Sequence, residues 1–446
     1  MTSVDELLIR ARRVFLPAGP VAASVGISRG LISGIYPYDT AHPAVEVVDL
    51  PDDQVLIPGI VDTHVHVNEP GRTHWEGFRS ATRAALAGGV TTIIDMPLNS
   101  VPPTVEVEAL HLKQRSAEAS SHVDVGFWGG AIGDNDADLQ PLHEAGVFGF
   151  KCFLVETGLD DFRCLTSDEL ARVMHRIAAF DGLLVVHAED DMAIRAAPAA
   201  MGPSYDRFLR SRPDVCEERA VQRLVRLVEQ TGCRVHIVHV ASASVLEVLK
   251  VARGQGLPVT AETCPHYLTF SAEEIPEGGT QFKCCPPIRE AFQRELLWDA
   301  LVEGVLQIVV SDHSPSPAEL KEVTTGDFSL AWGGVSSLQL SLPAVWTQAR
   351  ARDIPLQSVV EWMSHGPARL VCLDNKGAIE VGRDADLVAF APDQSFVVDA
   401  EALLHRHPLT PYDRRALFGV VKKVWLRGST CDAEQSPRGR LIRREG

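Results

Sequence analysis

Two histidines two residues apart, His64 and His66, stand at the end of an apolar run. The strand period of two puts both imidazoles on one side of the chain and so presents two nitrogen donors together. A pair of this kind by itself is more often two hydrogen-bonded rings beside a loop. Three further residues share its setting: His187 closes Leu-Leu-Val-Val-His, His239 closes Val-His-Ile-Val-His, and Asp312 follows Ile-Val-Val-Ser. Each has a plain structural role open to it, a buried ring for the histidines and a helix N-cap for the aspartate. Five such residues, all where an apolar run gives out, are poorly explained by independent coincidence.

Lys151 interrupts the otherwise apolar run Val147-Phe148-Gly149-Phe150-Lys151-Cys152-Phe153-Leu154. Burial disfavours its ammonium form, lowers its pKa and leaves a neutral, nucleophilic amine. Such an amine could form a Schiff base, add CO₂ to give a carbamate, or pair with an acid. Beside histidines and an aspartate the carbamate is attractive, because it turns a cation into a carboxylate able to bridge two metal ions. Six donors exceed the three protein ligands of a single catalytic zinc, so two divalent ions share them more naturally. Imidazole and carboxylate donors without thiolate suit Zn²⁺, and Fe²⁺, Co²⁺ or Mn²⁺ also fit such a set.

Elements able to bring these residues together are legible as eight short runs rich in Val, Ile and Phe: 60–67, 90–96, 123–128, 149–155, 183–187, 235–240, 259–262 and 306–311. Segments of helical period separate them. Trp75, Phe78, Ala81, Ala85 and Leu86 keep one face apolar before Gly88 and Gly89, and Val221, Leu224, Val225 and Val228 do so before Gly232. Alternation of this kind predicts parallel strands joined by crossover helices, an α/β fold of the (β/α)₈ TIM-type barrel class. In that fold the carboxyl ends of all strands meet at one mouth. The flanks, Leu8 to Val48 and Gly377 to Leu426, alternate over shorter stretches broken by glycine and proline, which predicts antiparallel β structure. One composite domain from both ends is the economical arrangement, though two separate flaps satisfy the pattern equally.

At 446 residues the chain is long enough for one large domain and a smaller one. The formal charge of −17 works against a broad phosphate-binding surface, so no nucleic-acid partner is expected. Nine scattered cysteines without a CxxC pair fit a reduced, cytoplasmic protein. Met1 to Pro20 threads arginines through apolar residues and lacks the pattern of a signal peptide, and no run of apolar residues is long enough to span a membrane.

His-Val-His-Val-Asn-Glu-Pro-Gly-Arg at 64–72, Gly-Phe-Lys-Cys-Phe at 149–153 and Ser-Asp-His-Ser at 311–314 resemble the cyclic amidohydrolases of the amidohydrolase superfamily. The resemblance runs over nearly the whole chain. Trp75-Glu76-Gly77-Phe78, Asp95-Met96-Pro97-Leu98-Asn99-Ser100, Lys283-Cys284-Cys285-Pro286-Pro287-Ile288-Arg289 and Leu409-Thr410-Pro411-Tyr412 are similar to one branch of that group. The resemblance implies a hydrolase of cyclic amides in which His64 and His66 hold the more buried metal ion and His187 and His239 the more exposed one. A carboxylated Lys151 would bridge the two ions, and Asp312 would complete the set and carry the proton. It implies a composite β-sandwich of residues 1–57 and 375–446 around a barrel of residues 58–374, with Gly377 to Asp386 as the return into the smaller domain. A homo-oligomer, tetrameric in many relatives, is implied as well.

Substrate contacts implied by position are Asn99, Cys285, Ser314, Gly333 and Gly334, largely through main-chain amides and carbonyls. Arg72 and Arg289 sit in the family strings but fit structural ion pairs as well, and His266 and His313 fit supporting or plain structural places. Where dihydroorotases have an arginine for the substrate carboxylate, this chain has Asn68, so a neutral ring, a small cyclic ureide, is expected. Where hydantoinases and dihydropyrimidinases place a tyrosine shortly after the lysine, Cys152, Phe153 and Leu154 follow. Those two activities stand as the alternative, and a scaffold without catalysis as a third reading that has no need of a buried lysine among histidines.

Overall fold

Eight strands form in the places where the apolar runs fall: Ile60–Val65, Val90–Asp95, Asp124–Phe127, Phe150–Phe153, Leu183–His187, Arg234–Ile237, Val259–Thr263 and Ile308–Val309. The computed structural model describes residues 4–444, so the outermost residues of both flanks, 1–3 and 445–446, lie outside the described residues. Neighbouring strands pair in parallel. The third strand is broken at Trp128: Asp124–Phe127 pairs with the second strand, and the continuation Gly129–Gly130 pairs with the fourth. Closure comes from a parallel bridge between Val65 and His313, where the His66 amide donates to the His313 carbonyl at 2.8 Å. The result is a TIM-type barrel. Its strands are covered on both faces, which is why they read as continuous apolar runs rather than as alternation.

Helices close the crossovers. Phe78–Ala87 ends at Gly88, and Val215–Thr231 ends at Gly232, whose left-handed φ of 66° suits a residue without a Cβ. Trp75 is buried but precedes the first of these helices rather than joining it, because Gly77 occupies the N-cap. Ser167–Ala178 starts on a capping box: Thr166 and Glu169 satisfy each other's backbone N–H.

The two flanks supply one further sheet. Its order is Ser429–Cys431, Ala416–Leu426, Leu387–Val397, Val55–Pro58, Asp5–Leu16, Gly19–Ser28 and Leu31–Pro37, with Ala44–Asp49 also on Asp5–Leu16. Antiparallel pairing is expected over Leu8 to Val48, but Ala44–Asp49 runs parallel to Asp5–Leu16, as does Val55–Pro58 beyond that stretch. After the two hairpins the chain has to come back beside its first strand, and it does so in the same direction. Ile9, Val25, Leu56, Leu387 and Trp425 are among the side chains of a core separate from that of the barrel. A buried ion cluster ties the two parts together. Lys376 Nζ lies 2.6 Å from Asp124 of the third barrel strand, 2.6 Å from Asp386 and 2.8 Å from Asp384. Among the described residues no helix is long and apolar enough to cross a membrane.

Candidate active site

His64 lies in the first strand and His66 just past its end, His187 is the last residue of the fifth, and His239 and Asp312 follow the sixth and eighth. All five stand at the same mouth. His239 and Asp312 have left-handed backbones, φ 42° and 43°. That conformation costs an L-residue roughly 1–2 kcal/mol and persists where the surroundings over-determine it.

The imidazole of His64 is central. Its ring centre is 5.6 Å from that of His66 and 5.5 Å from that of His239, and His239 lies 4.6 Å from His187. Asp312 Oδ1 is 3.1 Å from His64 Nε2 and 3.5 Å from His66 Nε2. Lys151 Nζ lies 4.9 Å from the centre of the Phe153 ring, which itself stacks on His187 at 4.8 Å. All six residues are buried. Two nitrogens among them, His64 Nε2 and His239 Nδ1, are buried without a hydrogen-bond partner: Asp312 is near the first, but not in hydrogen-bonding geometry. Buried imidazole nitrogens left unpaired beside a carboxylate fit cation ligands, and His64, His66 and Asp312 form a group compact enough for one ion.

Carboxylates behind the rings set which nitrogen faces the mouth. Glu262, on the seventh strand, accepts from His64 Nδ1 at 2.5 Å and from His236 Nε2 at 2.9 Å, and Glu189 accepts from His187 Nε2 at 2.8 Å. Asp62 accepts from the amides of His64 and Ser311, fastening the first strand to the end of the eighth. Burial opposes protonation of His64, but Asp312 and Glu262 outweigh it and hold the ring at about 9; a cation held at Nε2 would take the place of that proton. His66 is pushed down to about 4, first by burial. Burial also brings the Lys151 amine down to about 8, with Asp312 and Glu262 offsetting part of the effect.

Asn99, Cys285, Ser314, Gly333 and Gly334 line the same cavity as His64, His66, His187, His239 and Asp312. Asn99 has a φ of 64° and places Nδ2 3.4 Å from His66 Nδ1, while its carbonyl accepts from Arg72 at 3.0 Å. Gly334 could carry no other side chain: at φ 131° a Cβ would lie 2.2 Å from the Ser314 carbonyl oxygen. Its carbonyl accepts from the buried Lys321 amine. Arg289 is structural, with Asp214 at 3.0 Å and Glu217 at 2.8 Å. So is His313, packed against Glu76 at 3.3 Å and accepting from the Ser337 amide. His266 is buried with neither nitrogen partnered and stands in one group with Cys264 and Asp312.

The sequence profile of the amidohydrolase family matches residues 55–431. This chain belongs to the amidohydrolase family. Among amidohydrolases it is 54% identical to the allantoinase of Streptomyces avermitilis over 444 residues, 99% of each chain. It is 43% identical to the allantoinase of Arabidopsis thaliana, over 96% of this chain and 88% of that one. In three dimensions it resembles the L-hydantoinase (dihydropyrimidinase) of Arthrobacter aurescens with a TM-score of 0.94, at 28% identity and covering 99% of this chain and 100% of the other.

Glu262, Glu189, Asp62, His236 and Arg212 are the residues of this amidohydrolase site that sequence reasoning passed over. A signal existed for Glu262, an acidic residue ending an apolar strand just as the histidines do. For Arg212 none existed, since it stands between the short helix Tyr205–Arg210 and Val215–Thr231, where a solvated arginine is the ordinary expectation.

Proposed function

We propose that this amidohydrolase is an allantoinase, which opens the hydantoin ring of allantoin with water to give allantoate in purine and ureide breakdown. The observation that carries the proposal is the meeting of four imidazoles and one carboxylate at a single mouth, with two imidazole nitrogens unpaired and the buried Lys151 amine against the Phe153 ring that stacks on His187. Full-length identity of 54% to an allantoinase supports the choice of substrate. The likeness to hydantoinases is one of fold at lower identity.

His64, His66, His187, His239, Asp312 and a carboxylated Lys151 would hold two divalent ions, Zn²⁺ in the first instance, with Fe²⁺, Co²⁺ or Mn²⁺ also compatible with these donors. Such ions, when bound, acidify water and polarise a carbonyl oxygen. The Lys151 amine is brought toward neutrality by burial; its lone pair forms an N–C bond to CO₂ and the nitrogen loses a proton, leaving a carbamate. Glu262 and Glu189 orient the imidazoles through the nitrogens that face away from the mouth. Asp312 takes a proton from the attacking water as the C–O bond forms and delivers it to the ring nitrogen as the C–N bond breaks. Asn99, Ser314, Cys285, Gly333 and Gly334 hold the ring, chiefly through backbone groups. Nine unpaired cysteines support a reducing cytoplasm as the site of action. A homo-oligomer, taken as a tetramer, is carried over from the family resemblance.

Parallel ring-opening assays with allantoin, hydantoin, dihydrouracil and dihydroorotate test the assignment, with allantoin expected to be fastest. Faster turnover of any other ring overturns it, and a chain without bound metal and without turnover is the scaffold instead.

A further inference from the structure

Allantoin is a hydantoin ring bearing an exocyclic ureido group, so an enzyme that prefers it needs donors for the ureido oxygen and acceptors for its N–H groups. Outside the six clustered residues, the charged side chains lining the cavity are Arg212 and Glu156. Arg212 is largely buried, its side chain 19% exposed, and its Nη1 lies 2.5 Å from Glu189 Oε2. Glu189 is itself fully buried, so it cancels the charge of Arg212. What remains is a fork of N–H donors with no net attraction for an anion, which suits a neutral carbonyl better than a carboxylate. Among the described residues no other guanidinium nitrogen of Arg212 has a hydrogen-bond partner. Its backbone is pinned, because its carbonyl accepts from Arg289 Nη1 at 2.9 Å. Glu156 stands at the rim, 64% exposed, with Arg195 at 4.0 Å, and Arg195 is already held by Asp191 at 2.6 Å.

We infer that Arg212 is a specificity-determining residue whose free N–H donors hold the ureido oxygen of the substrate, while the Glu156 carboxylate accepts from the ureido N–H groups. The inference rests on the allantoinase assignment and says what separates allantoin from a bare hydantoin in this cavity. Glu189 joins Arg212 to His187, so a purely structural role for Arg212 would disturb every substrate alike.

Arg212→Lys keeps a cation beside Glu189 but loses the planar fork, Arg212→Gln removes the charge as well, and Glu156→Gln changes only the exposed rim. For each variant and the wild type, kcat/KM is measured for allantoin and for hydantoin, beside metal content per chain. Hydantoin is read as a competitive inhibitor where its turnover is slow. In Arg212→Lys, metal content is expected to stay at the wild-type level while kcat/KM for allantoin falls about 10- to 100-fold more than for hydantoin. Glu156→Gln is expected to narrow the preference in the same direction. Equal losses for both substrates, or loss of metal in both Arg212 variants, overturn the inference and leave Arg212 as a support for Glu189. Wild-type protein that fails to open allantoin overturns the assignment beneath it instead.

Discussion

At the scale of single residues, this mouth works by contrast between side chains of like type. Asp312 and Glu262 are both buried carboxylates on His64, yet one faces the cavity and the other the barrel interior. Asp312→Asn is expected to retain much of the metal and to lose about 10²- to 10⁴-fold in turnover, read by metal analysis beside a rate assay; surviving activity would remove the proton-carrying role. Glu262→Gln should instead weaken metal binding by about 10- to 100-fold, since Glu262 orients His64 through Nδ1, and competition with a chelator measures this. Lys151→Ala should be inactive and partly rescued by short carboxylic acids with added metal, because these can stand in for the carbamate. The four histidines and Asp312 were discernible as a set from their common place at the ends of apolar runs, and Lys151 from its interruption of one. Glu189 and Arg212 were not: Glu189 follows His187 by two residues but does not end an apolar run, and Arg212 meets its partner Glu189 across two short helices.

At the scale of elements, local chemistry decides where segments begin and end. The helix Ser167–Ala178 rests on its capping box, with the Thr166 amide donating to Glu169 Oε2 at 2.8 Å and Arg163 Nη2 2.8 Å from Glu169 Oε1. Thr166→Ala should cost about 1 kcal/mol, read as a lower urea midpoint with unchanged slope. Arg163 and the cap bring the Glu169 carboxyl down to about 2 from an ordinary 4.5. A depressed carboxyl contributes stability above its unfolded value and loses it as pH falls through the folded one. The difference in Tm between wild type and Glu169→Gln should therefore be present at pH 6 and shrink between about pH 4.5 and 2; partial exposure keeps it small. A gap that does not change with pH would mean that the charge plays no part. Helix ends at Gly88 and Gly232 were readable from the sequence, whereas the break at Trp128 in the third strand was not, since pairing to different neighbours on its two sides leaves no local mark.

At the scale of the whole molecule, stability is shared among three buried apolar clusters and the ions that join the barrel to the flanking sheet. Lys376 sits among Asp124, Asp384 and Asp386, with Arg427 2.6 Å from Asp124, so the chain itself supplies two cations to this acidic trio. Lys376→Met leaves those carboxylates buried around one remaining cation and should cost about 3–5 kcal/mol, measured by urea unfolding; a neutral effect would show that water reaches the cluster. Amino-acid order alone determined the alternation of strands and helices and the residues able to do chemistry, because periodicity, glycine stops and a lysine in an apolar run are local properties. Tertiary structure decided the closure of the ring through Val65 and His313, the parallel course of two flanking strands, and the Glu262 carboxylate that stands behind His64. Those features depend on which segments touch, and contact between stretches remote along the chain is written in packing rather than in spacing.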